Sequence, residues 1–341
     1  EKRPLGIPAV RDRIAQEVVR RLLAPIFEPK FHPHSFGYIQ GRNAHQAIQT
    51  LLALHDAGLR QVLDLDIVGF FDNLQHSVIM RAVAEEVADG NILRLIEKFL
   101  KSGVMENGVF KPTMVGTPQG GVISPLLANI VLNRLDWRLD QAGFAFVRYA
   151  DDSVVLDQSA QRTEEALALV QTVLDEFKLQ LSPSKTQRVS YAKGYSFLGF
   201  ILSARSKRVR PKSVRKFKQK VRELTRRKHN LDQEVIVKLN QVIRGTAQYF
   251  AQPFLTNRDN FYKLDCWIRM RLRCMKYKRK ARTDNRRMRL RHFDRLGLLQ
   301  LVSFLDSPHP AKCASLIPRC GALSAGSPRQ ESVPRRRPEK R

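Results

Sequence analysis

At 341 residues the chain is long enough for two domains, and its 60 Lys and Arg against 32 Asp and Glu give a formal net charge of +28. The excess is uneven: residues 1–200 hold 22 basic and 22 acidic side chains, residues 201–341 hold 38 and 10. A solvated surface mixes both signs, so this asymmetry points to chemistry in a neutral first half and polyanion binding in a basic second half.

No apolar run is long enough to span a bilayer, and no secretory signal is visible, which argues against a membrane partner. Cys266, Cys274, Cys313 and Cys320 match neither a zinc ribbon nor a disulfide framework, so a reducing compartment is expected.

Helical periodicity covers residues 9–30 and 43–58. Val62-Leu63-Asp64-Leu65-Asp66-Ile67 then alternates with period two, placing Leu63, Leu65 and Ile67 on one face of a strand and Asp64 and Asp66 on the other. Gly69 breaks that strand. Asp72-Asn73-Leu74-Gln75 reads as a helix start with a capping-box-like Gln75, followed by one or two helices over 74–101. The turn Gly116–Gly121 leads into an apolar helix from about Pro125 to Leu139. Phe146-Val147-Arg148 and Ser153-Val154-Val155-Leu156 flank Tyr149-Ala150-Asp151-Asp152, the pattern of a hairpin with acids at its turn.

An amphipathic helix follows over 162–178, and Ser203-Ala204-Arg205-Ser206 reads as a linker. Residues 212–229, 231–250 and 257–280 show helical periodicity over a basic face. After about Leu305 the sequence turns to Pro, Ser, Gly and Arg, the composition of a disordered tail.

Adjacent carboxylates at a tight turn repel each other unless solvent or a cation relieves them. With Asp66 projecting from a strand end, Asp151 and Asp152 complete a set of three carboxylates. Such a set is enough for two Mg²⁺ ions that also take phosphate and water ligands, as in phosphoryl transfer. Taken alone, Asp66 would read as an ordinary acid on the polar face of a strand.

The motifs around these acids resemble the reverse transcriptases encoded by group II introns, over most of residues 1–300. Arg3-Pro4-Leu5-Gly6-Ile7-Pro8 is similar to the end of the first block of that family, and Phe36-Gly37-Tyr38-Ile39-Gln40-Gly41-Arg42 to the next. Asp66 to Asp72 resembles the first catalytic block, and Gly116 through Ile130 follows the family pattern along its length. Leu181-Ser182-Pro183-Ser184-Lys185-Thr186 and Phe197-Leu198-Gly199-Phe200 come next in the expected order. Departures fall at Val68, at Gln75 before His76, and at Tyr38-Ile39-Gln40, none of them a metal ligand. The chain opens at Glu1 inside the first block, so the family's N-terminal fingers extension is expected to be missing.

The resemblance implies an α/β (α+β) right-hand polymerase: a three- or four-stranded antiparallel palm sheet, helical fingers, and a helical thumb/maturase domain. Fingers and palm would occupy residues 1–205, thumb and maturase region 206–300, and the tail 301–341. It implies Asp66, Asp151 and Asp152 as catalytic Mg²⁺ ligands, and Lys185 as the acid that protonates departing pyrophosphate. Arg3 would clamp the triphosphate, Phe71 would be the steric gate against a ribose 2′-hydroxyl, and Gln119 would lie against the incoming nucleotide. Arg42 and Gly199 would contact primer and template. In the basic half, Lys216, Lys220 and Arg227 would neutralise RNA phosphates. Leu239, Ile243, Tyr249 and Trp267 would form a helical core.

The implied partners are the intron RNA, an RNA template with a DNA primer, and dNTPs, with a homodimer left open. The implied setting is a bacterial cytoplasmic ribonucleoprotein, an organellar origin remaining open. Two alternatives stand beside this: a reverse transcriptase of another retroelement or a defence system, and a decayed fragment that only binds intron RNA.

Overall fold

The computed structural model describes residue 6 and residues 8–106, 109–111, 115–117 and 120–305. In chain order the elements are α1 (Val10–Phe27), α2 (Ala44–Asp56), β1 (Gln61–Leu65), α3 (Phe70–Asn73), α4 (His76–Ala84), α5 (Gly90–Lys101), β2 (Val104–Glu106) and β3 (Val109–Lys111). These lead to α6 (Ser124–Gln141), β4 (Ala145–Tyr149), β5 (Asp152–Asp157), α7 (Ala160–Glu176), β6 (Gln187–Ser190), β7 (Tyr195–Phe197), β8 (Phe200–Leu202) and β9 (Lys207–Val209). The chain continues as α8 (Pro211–Leu224), α9 (Gln233–Phe250), α10 (Asp259–Tyr277), α11 (Asp284–Arg287) and α12 (Leu290–Arg295).

The central sheet has the order β4-β5-β1-β6, and every pairing in it is antiparallel. Its four strands match the palm expected from the resemblance. Period-two alternation sends Leu63, Leu65, Phe146 and Val155 to one face, where they meet α1, α4, α5, α6 and α7. Val62, Val147, Val154 and Leu156 go to the other, against α2, the β7-β8-β9 sheet and helices α8 to α12. Both faces are therefore covered. Asp64 and Asp66 share a face with Val62 rather than with bulk water.

Local chemistry sets the helix starts. Asn43 closes a capping box with Gln46 on α2, while Asp89, Ser159 and Asp232 accept backbone N–H bonds at the starts of α5, α7 and α9. Pro125 and Pro211 occupy first-turn positions of α6 and α8, where a missing N–H costs nothing.

Four details differ from what the sequence suggested. The helix expected to begin at Asp72 begins instead at Phe70, with Gly69 as its left-handed N-cap (φ 47°). Gln75 precedes α4 without capping through its side chain. Ser203–Ser206 is not a linker but the turn between β8 and β9. Ser203 Oγ donates to Ser206 O at 2.9 Å and accepts from Ser206 N at 3.1 Å. Finally, α8 stops at Leu224, so Arg227 lies beyond the helix that carries Lys216 and Lys220.

Candidate active site

Asp66 follows the last residue of the central strand. Its carbonyl accepts from Ser182 N at 2.8 Å, and Val68 N donates to Gln180 O at 2.9 Å, so the segment Gln180–Thr186 is stitched along the strand's exit. A turn in that segment, closed by Thr186 N donating to Ser182 O, sets Lys185 beside Asp66. Its Nζ donates to both Asp66 oxygens, at 3.1 and 3.3 Å.

The acid pair sits on the neighbouring hairpin. Tyr149 pairs with Asp152, leaving a two-residue loop of Ala150 and Asp151, with Ala150 at φ 58°. A positive φ at the first loop position suits the twist of a tight hairpin, at the cost of strain for a residue with a Cβ.

Burial, with Asp151 and Asp66 adding like charge, pushes the Asp152 carboxyl up to about 6. Burial, with Asp152 and Asp66, pushes Asp64 up to about 7. Arg210 opposes both shifts and Lys185 opposes that of Asp152. The four acids thus share one negative field at the mouth of the sheet.

Hard carboxylate oxygens suit Mg²⁺, and Lys185 already brings a cation onto Asp66, so the donor set fits a divalent ion. Among the described residues, no three His, Cys, Asp or Glu side chains are grouped closely enough to enclose one as they stand.

Phe71 is half-buried and meets Phe70 edge-on at 5.2 Å, while Phe70 is fully buried. Both rings belong to one core: Phe70 lies within it and Phe71 packs against its edge. The backbone of Gly116–Thr117 lies on this short helix: Thr117 N donates to Phe71 O at 2.7 Å and Gly116 N to Leu74 O at 3.0 Å. A Cβ at Gly116 would stand 2.5 Å from Asp72 O, so only glycine permits the approach. Arg3 and Gln119 lie outside the described residues.

Two expected strand contacts have other local duties. Arg42 turns inward: Nη1 donates to His32 O and Ser35 O, both at 2.6 Å, and Nη2 to Phe31 O at 3.4 Å. The guanidinium braces the loop, a role that the expectation of a template contact did not include. Gly199 forms a two-residue turn with Leu198, at φ 84° and 46°, between Phe197 and Phe200. A Cβ there would meet Phe250 at 3.2 Å, so the turn and this protein contact account for the glycine without an approaching strand.

Sequence reasoning overlooked a buried network behind the hairpin. Arg148, 1% exposed, donates from Nε to Asp136 Oδ1 at 2.7 Å and from Nη2 to Asp136 Oδ2 at 2.5 Å. Its Nη1 donates to Asn129 Oδ1 at 2.8 Å and to Ala150 O at 2.9 Å. Asn129 Nδ2 in turn donates to Gly37 O at 2.8 Å. An arginine beside the acid pair, and an Asn and an Asp seven residues apart on the same face of α6 as its apolar residues, were the available signal.

On the basic half, Phe217 and Val221 face inward from α8 while Lys216 and Lys220 are exposed on the flank beside them, and Arg227 is exposed beyond the helix. Trp267 packs against the helical core with Lys218 and Arg222 over its ring at 5.6 and 5.7 Å. No helix of the described residues is long and apolar enough to cross a membrane.

Residues 1–202 match the family model of reverse transcriptases (RNA-dependent DNA polymerases), and residues 214–293 match the group II intron maturase-specific domain. Protein YkfC of Escherichia coli is 34% identical over 236 residues, 58% of this chain and 62% of that protein. The group II intron-encoded protein LtrA of Lactococcus lactis is 40% identical over 152 residues, 45% of this chain and 25% of that protein. The chain thus matches less than two thirds of the length of either. Among solved structures, apo telomerase from Candida tropicalis superposes with a TM-score of 0.48 at 10% identity, covering 71% of this chain and 45% of that one. With its palm sheet, its acids at the strand end and hairpin turn, and its first 202 residues matched, the chain belongs to the reverse transcriptase family.

Proposed function

We propose that this protein is an RNA-directed DNA polymerase of the group II intron-encoded kind, whose basic half binds intron RNA and assists its splicing and mobility. The observation that supports the reading is the register of β1 on β5, Leu65 opposite Ser153, which sets Asp66 beside the hairpin end that carries Asp151 and Asp152, with Lys185 bonded to Asp66. Asp66 and Asp151 would hold Mg²⁺, with Asp152 as a further ligand or a contact to the primer end. A bound divalent ion acidifies the primer 3′-hydroxyl and neutralises phosphate charge.

The chain's own groups divide the remaining work. Lys185 holds a proton within reach of Asp66 and can deliver it to departing pyrophosphate. Phe71 presents a ring where a ribose 2′-hydroxyl would have to fit. Arg3 would hold the triphosphate and Gln119 the nucleotide against the template. Lys216, Lys220 and Arg227 are exposed cations, suited to phosphates. A bacterial cytoplasmic ribonucleoprotein is the setting proposed.

Primer extension on an RNA template in Mg²⁺ tests the reading: labelled cDNA is expected, and none from a folded protein overturns it. Splicing of the cognate intron by an Asp151→Ala, Asp152→Ala double variant tests the second activity. Splicing that survives while cDNA synthesis is lost supports the division. Joint loss in a folded variant refutes it.

A further inference from the structure

The hairpin turn that carries Asp151 and Asp152 is held by a closed circuit of contacts. Beneath it, Arg148 Nη1 bonds Ala150 O, the carbonyl immediately before Asp151. Above it, the loop of Phe36 and Gly37 lies on the same residue: a Cβ at Gly37 would stand 2.3 Å from Ala150 N. Phe36 N donates to Arg148 O at 2.9 Å, and Arg148 N to His34 O at 3.0 Å. Asn129 closes the circuit, accepting from Arg148 and donating to Gly37 O. Asp136, two helical turns further along α6, fixes the guanidinium plane through a bidentate pair.

This arrangement places an arginine and an aspartate, each about 1% exposed at the side chain, behind a turn whose first residue is strained at φ 58°. An apolar core of the same volume would pack as well, since buried ion pairs add little net stability. What such a pair does supply is a single allowed geometry. The donors of Arg148 leave one direction for the Ala150 carbonyl, and that carbonyl sets where the next residue points.

We propose that Asn129 and Asp136, acting through Arg148, are positioning residues that fix the stance of the Asp151–Asp152 turn relative to Asp66. None of them reaches the cleft. The inference rests on the polymerase reading of the acids, but its test can be separated from that reading.

Asn129→Asp is isosteric: it keeps the acceptor for Arg148 and removes the donor to Gly37 O. In the folded full-length variant, the rate constant at saturating dNTP should fall about tenfold or more, with the KM for dNTP changed less than about threefold, because a small displacement of catalytic groups acts on the chemical step. The Mg²⁺ needed for half-maximal rate should rise by about threefold or more, and Mn²⁺ affinity measured by electron paramagnetic resonance, without nucleic acid, should weaken in parallel.

Wild-type values for all of these in a folded variant would overturn the proposal. So would a lower rate with unaltered Mg²⁺ requirement and Mn²⁺ affinity, the mark of a merely structural residue. Should Asn129→Asp not fold, Asn129→Ser leaves Arg148 its Asp136 partner and carries the same comparison. If the wild-type protein extends no primer, the polymerase reading fails while the Mn²⁺ comparison still decides the positioning.

Discussion

The palm and the helical half handle charge in opposite ways. In the palm, charges are set against one another at short range: Arg148 is buried against Asp136 at 1% exposure, Lys185 pairs with Asp66 at the surface, and Asp64 and Asp152 are raised by desolvation and by neighbouring carboxylates. From residue 201 onward, 38 basic side chains stand against 10 acidic ones, so most cannot be paired among themselves, and Lys216 and Lys220 on α8 are exposed to solvent beside the buried Phe217 and Val221. Buried charge fixes atoms in place, and exposed charge of one sign attracts a polyanion without fixing it. On the proposed function, one half would place a reaction and the other would hold a large ligand.

The sharpest way to break this contrast is Asp151→Asn, which removes one charge and keeps the shape of the turn. Primer extension should drop by about a thousandfold or more, while binding of intron RNA is unchanged. Parallel loss of both in a folded protein would mean that the halves do not divide the work.

The seam between them carries the next effect. His55, fully buried on α2, donates from Nδ1 to Leu59 O at 2.7 Å, so its Nε2 accepts from Tyr195 OH at 3.0 Å, and its ring stacks on Tyr191 at 3.5 Å. Burial pushes its pKa down from 6.5 to about 4. The folded value lies below the unfolded one, so the neutral ring's contribution is complete above pH 6.5 and is lost as pH falls from 6.5 to 4, by about 3 kcal/mol at most. Asp64 and Asp152, raised by the fold, act in the opposite sense, so the measure is a difference. Denaturant midpoints of His55→Gln, which does not titrate, should lose less stability between pH 6.5 and 4 than those of the wild type. Equal pH slopes would show that His55 is not held neutral.

Reversing charge at Lys216, Lys220 and Arg227 should weaken RNA binding by about tenfold or more near 0.15 M salt and flatten the salt dependence by up to about three units of slope. Extension of a short primer should suffer less. An unchanged salt slope would place the RNA elsewhere on the basic surface.

How much of this could be read beforehand depended on the range of the interaction. Strand β1, the Asp151–Asp152 hairpin and α6 rest on local alternation, turn composition and a first-turn proline, and each was legible within a residue or two. The β8–β9 turn was not, because Ser203-Ala204-Arg205-Ser206 has linker composition and its hairpin is fixed by partners on either side. Asp66 and Lys185, 119 residues apart, were linked through the family resemblance, and the structure supplied their contact. Arg148, Asn129 and Asp136 escaped notice because a polar residue in an apolar run reads as noise until its partner in another element is known. Gly199 was expected as a strand contact, and the tight turn with Leu198 and the closeness of Phe250 could be seen only in the structure.

The smallest expected effect concerns Phe71. Its neighbour Phe70 is committed to the core, the Thr117 N–H bond at 2.7 Å fixes the Phe71 peptide, and the Phe71 ring packs against Phe70 and the core edge. A fixed ring excludes a 2′-hydroxyl by volume alone, and volume discrimination of this kind is worth about tenfold to a hundredfold. Phe71→Val should raise ribonucleotide relative to deoxynucleotide incorporation by about tenfold, chiefly through the KM for the ribonucleotide, with extension from dNTPs largely retained. Because Phe71 also packs against the palm core, a melting control is needed. If sugar preference is unchanged while stability falls, the ring belongs to the core, and selectivity against RNA precursors must be sought in the residues that flank Gly116.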